Sequence, residues 1–328
     1  YILPLHRSGI DFRNAGRRQT RVLSPTSSHK KDTAMANAQA AHHHYFVPES
    51  SKWPIISTIS IFTMFVGGAL TLNDSGVGPE ILGAGFILFV YMLFGWFGDV
   101  IRESEKGIYG QWEDTSFRMG MMWFIFSEVM FFAAFFGALF YARVLSVPWL
   151  SGAGSEATTH AVLWPEFLAD WPLLKLPSDY GFSEAKDVIG AWGVPALNTA
   201  ILLASGGTVT WAHWGLQNNN RSQLIIGLAL TVALGVVFVF MQAEEYSHAY
   251  NHLGLTMNTG IYGATFFLLT GFHGFHVTMG TIMLAVILAR SIRGHFKPEH
   301  HFAFEAVAWY WHFVDVVWIG LFIFVYWI

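Results

Sequence analysis

The 328-residue sequence contains no cysteine and few charged residues. Without cysteine, the chain offers no disulfide bond, no thiolate ligand for a metal and no thiol nucleophile. Charged residues make up 12% of the chain, about half of the share found in soluble globular proteins. The net charge of −4 argues against nucleic-acid binding. The composition therefore excludes a disordered chain and an ordinary soluble enzyme.

Long apolar runs are what the sequence has in abundance. A membrane-spanning helix needs about 20 mostly apolar residues, and the runs are continuous rather than alternating. We therefore predict an all-α membrane protein with seven transmembrane helices. The seven runs are Ile55–Leu72, Ile81–Val100, Met119–Val147, Ala191–Trp214, Leu224–Ala243, Ile261–Ala289 and Phe304–Tyr326.

The runs divide the chain into segments. Residues 55–100 contain the first two helices, joined as a hairpin, and residues 117–328 contain helices three to seven. Residues 148–190 form a long loop, rich in proline and acidic residues, which we expect to be an ordered extramembrane segment. Residues 35–54 are expected to be a cytoplasmic N-terminal segment, and they include the tract His42–His44, most simply a solvated stretch.

Lysine and arginine near the ends of the runs predict the orientation. With the N-terminus on the cytoplasmic side, eight of these residues flank the runs on the inside and three on the outside, which favours N-in, C-out. The inner residues are Lys52, Arg102, Lys106, Arg118, Arg221, Arg290, Arg293 and Lys297, and the outer ones are Arg143, Lys175 and Lys186.

Residues 1–34 differ from the rest, with seven basic residues, two acidic residues and no apolar run. A secretory signal peptide needs an apolar core and is excluded. Three interpretations remain: translated upstream sequence with the start at Met35, which we favour, an arginine-rich transit peptide, or a cytoplasmic tail. In each case we expect a disordered segment without a function of its own.

Glu128 is the sharpest candidate among ionisable residues at membrane depth, where charge is costly. It lies nine residues past Met119, about 13–14 Å along a helix. No basic residue lies within two turns, and burial without a partner disfavours the charged form. Two interpretations stay open: a proton-accessible carboxyl, or a neutral acid that hydrogen-bonds across helices.

Histidines supply the other candidates. His312 and Asp315 are three residues apart and share one helical face. They could form a proton relay or a structural hydrogen bond, and we favour the hydrogen bond. His273 and His276 form an H-x-x-H step that could ligate a metal. Glu245 with His248 is a lone E-x-x-H pair, whereas a di-iron bundle needs two. We therefore predict no metal site.

Arginines at span ends suit lipid headgroups. Arg102 and Arg290 lie where two runs end, and an arginine there can reach out of the apolar layer and bind phosphate bidentately. The alternative is that these arginines only anchor the helix ends at the cytoplasmic surface of the membrane, as the positive-inside rule describes, without binding a defined lipid. Trp96, near the same end, is typical of an interfacial aromatic belt.

Five blocks of sequence, in order, closely resemble the cytochrome c oxidase subunit III family. The resemblance covers about residues 44–328. The blocks are D-V-I-R-E-S at 99–104, S-E-V at 127–129, L-N-T, L-L-A-S-G and T-W-A-H within 197–213, Y-G-A-T-F-F and T-G-F-H-G within 262–274, and H-H-F-A-F-E-A-V-A-W-Y-W-H-F-V-D-V-V-W at 300–318.

The resemblance implies seven helices in two groups, 1–2 and 3–7, which form a V-shaped lipid cleft. This grouping replaces the split into 1–3 and 4–7 that the long loop suggests. It implies a subunit without haem or copper, which are held by partner subunits, in a complex that oxidises cytochrome c, reduces oxygen and pumps protons. Subunit I is the expected direct partner, with subunit II in the complex, and the chain is expected to stabilise subunit I, bind phospholipid and sustain proton uptake.

The resemblance also assigns residues. Glu128 matches an intramembrane carboxyl expected to react with hydrophobic carbodiimides, and Arg102, Arg290 and Trp96 match lipid-binding positions, while no catalytic residue is implied. Phe97 stands where some members have a second tryptophan. The remaining polar residues at membrane depth are expected to be structural: Asp99, His213, His273, His276, Glu305, His312 and Asp315.

The long loop exceeds that of animal mitochondrial members of the family, which predicts a bacterial inner membrane, with the mitochondrial inner membrane as the alternative.

Two other functions compete with the oxidase subunit. A proton-coupled transporter could use Glu128 with His312 and Asp315, and would need an aqueous cavity and broken helices. A membrane di-metal enzyme would need two E-x-x-H pairs, and we find only one in the sequence.

Overall fold

The structure is a computed structural model that describes residues 50–177 and 181–328. Regular structure in these residues is helical, apart from an isolated bridge between Lys297 and His300. Seven long helices follow one another, and a short loop helix, Ala157–Leu163, lies between the third and fourth. The long helices are α1 (Trp53–Leu72), α2 (Gly78–Lys106), α3 (Gln111–Phe140), α4 (Val194–Gln217), α5 (Arg221–His248), α6 (Gly260–Arg293) and α7 (Phe302–Leu321).

Three of these helices continue beyond their α-helical part. α3 runs through a π-helical turn into one more α-helical turn, and α5 and α7 each end in a π-helical segment. All seven predicted runs overlap a long helix. The predicted extension 1–34, most of the segment 35–54 and the tract His42–His44 lie outside the described residues. The continuations are Tyr141–Ser146, Val147–Leu150, Ala249–Leu253 and Phe322–Trp327.

Helix ends follow from local chemistry. α1 and α4 have Pro54 and Pro195 in their first turn, where proline's fixed φ suits the helix and its missing N–H costs nothing. The Asn220 side chain caps α5 by accepting a hydrogen bond from the Gln223 backbone N–H at 3.2 Å. α6 stops at Gly294, whose φ of 78° lies in the left-handed region that terminates helices.

Six of the long helices are long and apolar enough to cross a membrane: α1, α2, α3, α5, α6 and α7 with their continuations. α4 has the length, at 24 residues, but not the apolar character. Asn198, Thr199 and Ser205 are among the polar residues that lower its hydropathy, and Asn198 and Ser205 are fully buried. A membrane protein of helices is therefore supported, and the seventh span stays a prediction.

The first compact unit ends at Met92 and contains α1 and the first half of α2. Its two helices approach closely at glycines. A Cβ atom at Gly67 would lie 2.3 Å from the Leu82 backbone nitrogen, and one at Gly85 would lie 2.7 Å from the Met64 backbone nitrogen. Small residues at these positions let the two backbones touch, as in other membrane helix pairs.

The second unit, residues 93–328, is built around α7. The α7 residues Trp311 and Trp318 are 0% and 1% exposed. Their indole N–H groups donate to the hydroxyls of Ser205 and Thr199 on α4, each at 2.9 Å. Two of the polar residues that make α4 a poor span by composition, Thr199 and Ser205, are thus hydrogen-bond acceptors for α7.

The third helix belongs to this second unit, where α3 packs against α6 and α7. For α3, the grouping implied by the family resemblance, which joins it to the later helices, is therefore the better one. The split at the long loop, which put α3 with α1 and α2, is wrong. Chain connectivity misled here because a long loop separates helices in sequence without separating them in space.

The long loop is tied to the bundle at several points. Backbone hydrogen bonds join Lys186 N–H to the Leu253 carbonyl at 2.8 Å and Ser183 N–H to the Asn258 carbonyl at 3.1 Å. Phe167 and Leu173 of the loop are buried, at 6% and 5% exposure. The described part of the loop is thus an ordered structure on the second unit.

Substituting Gly67 by alanine tests the helix contact in the first unit. Its Cβ would overlap backbone atoms, which cannot move aside as a side chain can, so we expect a loss of about 1–3 kcal/mol. Gly68→Ala is the matched control, because no atom lies within 4 Å of its added Cβ. The measurement is the thermal melting of the purified chain in mild detergent, and equal melting of both variants would contradict the contact.

Candidate functional site

Glu128 has a partner on another helix. Its Oε2 lies 3.0 Å from Nε2 of His276, which joins α3 to α6. The His276 side chain is 8% exposed and that of Glu128 is 22% exposed. This contact across helices fits the second of the two interpretations of Glu128, and its partner could not be found along α3 because the histidine lies 148 residues away.

The second nitrogen of His276 limits how many protons the pair of Glu128 and His276 holds. Its Nδ1 lies 2.6 Å from the Phe272 carbonyl oxygen, which can only accept, so Nδ1 carries a hydrogen. The contact between Nε2 and the carboxyl then needs one further proton, located on either atom. The pair is an imidazolium with a carboxylate or an imidazole with a carboxylic acid, and both forms hold the same number of protons.

Aromatic rings enclose the pair. The His276 ring stacks on Tyr310, with centroids 6.2 Å apart and planes 17° apart, and meets the edge of Phe132 at 5.0 Å. The Phe131 ring centroid lies 6.1 Å from that of His276. Low local polarity strengthens a hydrogen bond within the pair and makes its loss costly.

His273, three residues before His276, does not join it in a common site. Its Nε2 lies 3.2 Å from the Val314 carbonyl, and its ring packs against Phe238 and Trp318 with centroids 5.7 and 5.0 Å away. The two histidines of the H-x-x-H step therefore bind different partners. This arrangement is that of a buried histidine that links α6 to α7.

The predicted proximity of His312 and Asp315 is present, at 3.5 Å between Nδ1 and Oδ2. His312 Nε2 also lies 3.3 Å from the Thr210 hydroxyl on α4. Gly206 makes room for the carboxyl, since a Cβ there would lie 2.5 Å from Asp315 Oδ2. The group thus links α7 to α4 as well as joining neighbours on α7.

The two candidate lipid arginines have different environments. Arg102 is 66% exposed at the side chain and forms an ion pair with Asp99 on the same helix. Trp96 stacks on Phe97 with ring centroids 5.5 Å apart. Arg102 is therefore a solvated or interfacial group, while Trp96 and Phe97 add an apolar surface one to two turns before it.

Arg290 is buried, at 8% exposure, near the end of α6. Its guanidinium carbon lies 4.6 Å from the centre of the Phe296 ring, within cation–π distance. Among the residues that the structure describes, its Nε has no hydrogen-bond partner. A buried arginine donor of this kind is suited to an anionic oxygen.

A second cluster lies where α4 ends and α7 begins. His213 Nε2, His301 Nε2 and Glu305 Oε1 lie 3.3 to 3.8 Å from one another. The other carboxylate oxygen of Glu305 forms an ion pair with Arg118 of α3. Within residues 50–177 and 181–328, these three side chains are the one group that could hold a metal ion.

Sequence reasoning named His213 and Glu305 separately and missed the other members. The spacing of His301 and Glu305, one helical turn apart, was the only signal for part of it. It also missed the bond between Glu245 and the Tyr326 hydroxyl, 2.6 Å long. Glu245 is thereby used within the bundle rather than in an E-x-x-H metal pair.

Comparison with known proteins agrees with the five sequence blocks. The family model of cytochrome c oxidase subunit III matches residues 42–163 and 180–328. Cytochrome c oxidase subunit 3 of Prototheca wickerhamii is 40% identical over 87% of this chain and 97% of its own length. The proteins of that name from Arabidopsis thaliana and Cyprinus carpio are 38% and 40% identical, over 88% and 87% of this chain and 98% and 97% of their own. The chain therefore belongs to the cytochrome c oxidase subunit III family.

Proposed function

We propose that this subunit of cytochrome c oxidase carries no redox centre, stabilises the catalytic subunit I and supports proton uptake during oxygen reduction. The observation that carries the proposal is the family match over residues 42–163 and 180–328, and the pair of Glu128 and His276 supports the structural part of it. A carboxyl in the apolar part of α3 is satisfied by one imidazole of α6, 3.0 Å away. The haem and copper of the complex belong to partner subunits in this proposal.

The pair supports a structural role because the hydrogen-bond chain ends there. A proton relay needs a further acceptor beyond the imidazole, but His276 Nδ1 faces the backbone carbonyl of Phe272 at 2.6 Å. A carbonyl cannot pass a proton onward, so the pair stabilises the contact between α3 and α6. A proton-coupled transporter is disfavoured for the same reason, because its protons would have to cross this chain.

We assign the contact with subunit I to the outward face of α3. Few α3 residues are buried within the chain, while Trp123, Phe126 and Met130 are 66%, 53% and 55% exposed. A large apolar face of this kind suits another membrane helix or lipid. Subunit II completes the complex, with cytochrome c as its substrate, and no nucleic acid takes part.

Phospholipid is the proposed ligand of the chain itself. Arg290 is buried beside Phe296 with an unpartnered Nε in the described part of the chain, and a phosphate oxygen would satisfy it. Arg102 and Trp96 would contact other headgroups at the membrane surface. The V-shaped lipid cleft stays a prediction from the family resemblance.

We further propose that α4 spans the membrane as a seventh helix, which puts the two termini on opposite sides, and the basic residues at the span ends then favour N-in, C-out. Its residues Thr199 and Ser205 bond to α7, so they need not face lipid. The compared relatives come from eukaryotes and lend no support to a bacterial inner membrane over the mitochondrial alternative. We therefore propose a respiratory inner membrane.

Glu128→Gln tests the role of the carboxyl. Glutamine can still donate to His276 Nε2, so we expect a loss of about 1 kcal/mol or less, an assembled complex and a modest change in turnover. Labelling of this chain by a hydrophobic carbodiimide should disappear, as measured by peptide mass spectrometry. Glu245→Gln is the control and should keep the label, because Glu245 is only 4% exposed. Complete loss of oxygen reduction in an assembled Glu128→Gln complex would contradict the proposal.

His276→Leu should have the larger effect on stability. It leaves the Glu128 carboxyl without its partner in an apolar environment, which costs about 1–3 kcal/mol. The melting temperature of the purified complex should therefore fall further than for Glu128→Gln. Equal melting of the two variants would show that the bond between α3 and α6 adds no stability.

Arg290→Ala tests the lipid assignment. Native mass spectrometry of the variant should show less retained phospholipid than the unmodified chain, because a buried phosphate contact is lost. Arg293→Ala, an exposed arginine one turn further along, is the matched control and should retain lipid. Unchanged lipid in Arg290→Ala would overturn the assignment.

A further inference from the structure

We propose that His213, His301 and Glu305 form a binding site for a divalent zinc ion that clips the end of α4 to the start of α7. This inference goes beyond the proposed function and revises the sequence-based prediction of no metal. Two imidazole nitrogens with one carboxylate oxygen are the ligand types that zinc prefers, and three protein ligands leave a fourth position for water. Calcium and magnesium prefer oxygen ligands alone.

The spacing of the ligand atoms matches a tetrahedral ion. Ligands at 2.0–2.1 Å from zinc, arranged as a tetrahedron, lie about 3.3–3.4 Å from one another. The distance is 3.3 Å between His213 Nε2 and His301 Nε2, and 3.3 Å between His301 Nε2 and Glu305 Oε1. The third edge, from His213 Nε2 to Glu305 Oε1, is 3.8 Å. A shift of a few tenths of an ångström completes the triangle.

The outer shell holds the ligands in the required state. His301 Nδ1 lies 3.2 Å from the Lys297 carbonyl, so it carries a hydrogen and leaves the lone pair of neutral Nε2 directed at the cluster. The carboxylate of Glu305 is oriented by Arg118 through its other oxygen. Carbonyl and charged partners of this kind are typical of outer shells around protein metal sites.

The charge balance and the access are both compatible with zinc. Arg118 adds a positive charge beside the site, but Asp114 pairs with its Nε at 2.7 Å, so the group of Asp114, Arg118 and Glu305 has one net negative charge. The side chains of His213, His301 and Glu305 are 24%, 10% and 15% exposed. The site is therefore reachable from outside and can accept an ion in the folded chain.

The competing interpretation is a hydrogen-bonded cluster without metal. His213 Nε2 would then carry a hydrogen and donate it to His301 Nε2 or Glu305 Oε1. Both arrangements keep the three side chains together. They differ in whether the hydrogen between them is replaced by a cation.

The test is the zinc content of the full chain, purified in mild detergent with whatever subunits it retains. After stripping with a chelator and equilibration with buffered zinc, metal analysis gives zinc per chain. We expect one zinc more in the unmodified chain than in His213→Gln or His301→Gln, with the affinity lowered by about 100-fold or more, since changes in the outer shell alone cost about 10–100-fold. His300→Gln is the matched control, because His300 is adjacent in sequence but exposed and outside the cluster, and it should keep the ion.

A second measurement needs no variant and keeps the proposal testable where a variant fails to fold. Zinc should protect His213 and His301, but not His300, from modification by diethyl pyrocarbonate, as read by peptide mass spectrometry. The proposal is overturned when the unmodified chain and both glutamine variants bind equal zinc, or when zinc leaves the modification of His213 and His301 unchanged. The metal-free cluster is then the correct description. Neither result depends on the proposed role in proton uptake.

Discussion

The structure depends on one constraint: a polar group that lies among apolar helices must find its partner within the protein. An unsatisfied polar group in hydrocarbon costs several kcal/mol, and this chain places many such groups inside its helices. Three of the bonds described above join two different helices. Glu128 binds His276, Trp311 binds Ser205, and Tyr326 binds Glu245.

These bonds also explain why the helices of the second unit pack as they do. Apolar contact alone gives little direction to helices in lipid, because lipid tails are as apolar as the side chains. A hydrogen bond between two named atoms fixes the rotation and depth of each helix. α7 carries the largest share of such atoms, with Trp311 and Trp318 bound to α4 and the Val314 carbonyl bound to His273 of α6. Polar contacts likewise hold His301 and Glu305 of α7 and its N-terminal cap against His213 of α4 at the end of the bundle.

The sequence predicted the elements well and their contacts poorly. Helical runs are local, so their positions, their approximate ends and the closeness of His312 to Asp315 could be predicted from spacing. The partner of Glu128 could not, because it lies on another helix and no spacing rule connects the two. α4 shows the converse: its polar residues lower its hydropathy, and only the structure shows that Thr199 and Ser205 are hydrogen-bonded to α7.

The central claim is that this chain acts as a subunit of an oxidase whose redox centres lie in its partners. The most direct measurement is the reduced-minus-oxidised absorption spectrum of material purified through a tag on its C-terminus in mild detergent. The account predicts the orange-red band of an a-type haem, because the catalytic subunit comes with the chain. A colourless, monodisperse preparation from cells that express the partner subunits would contradict it.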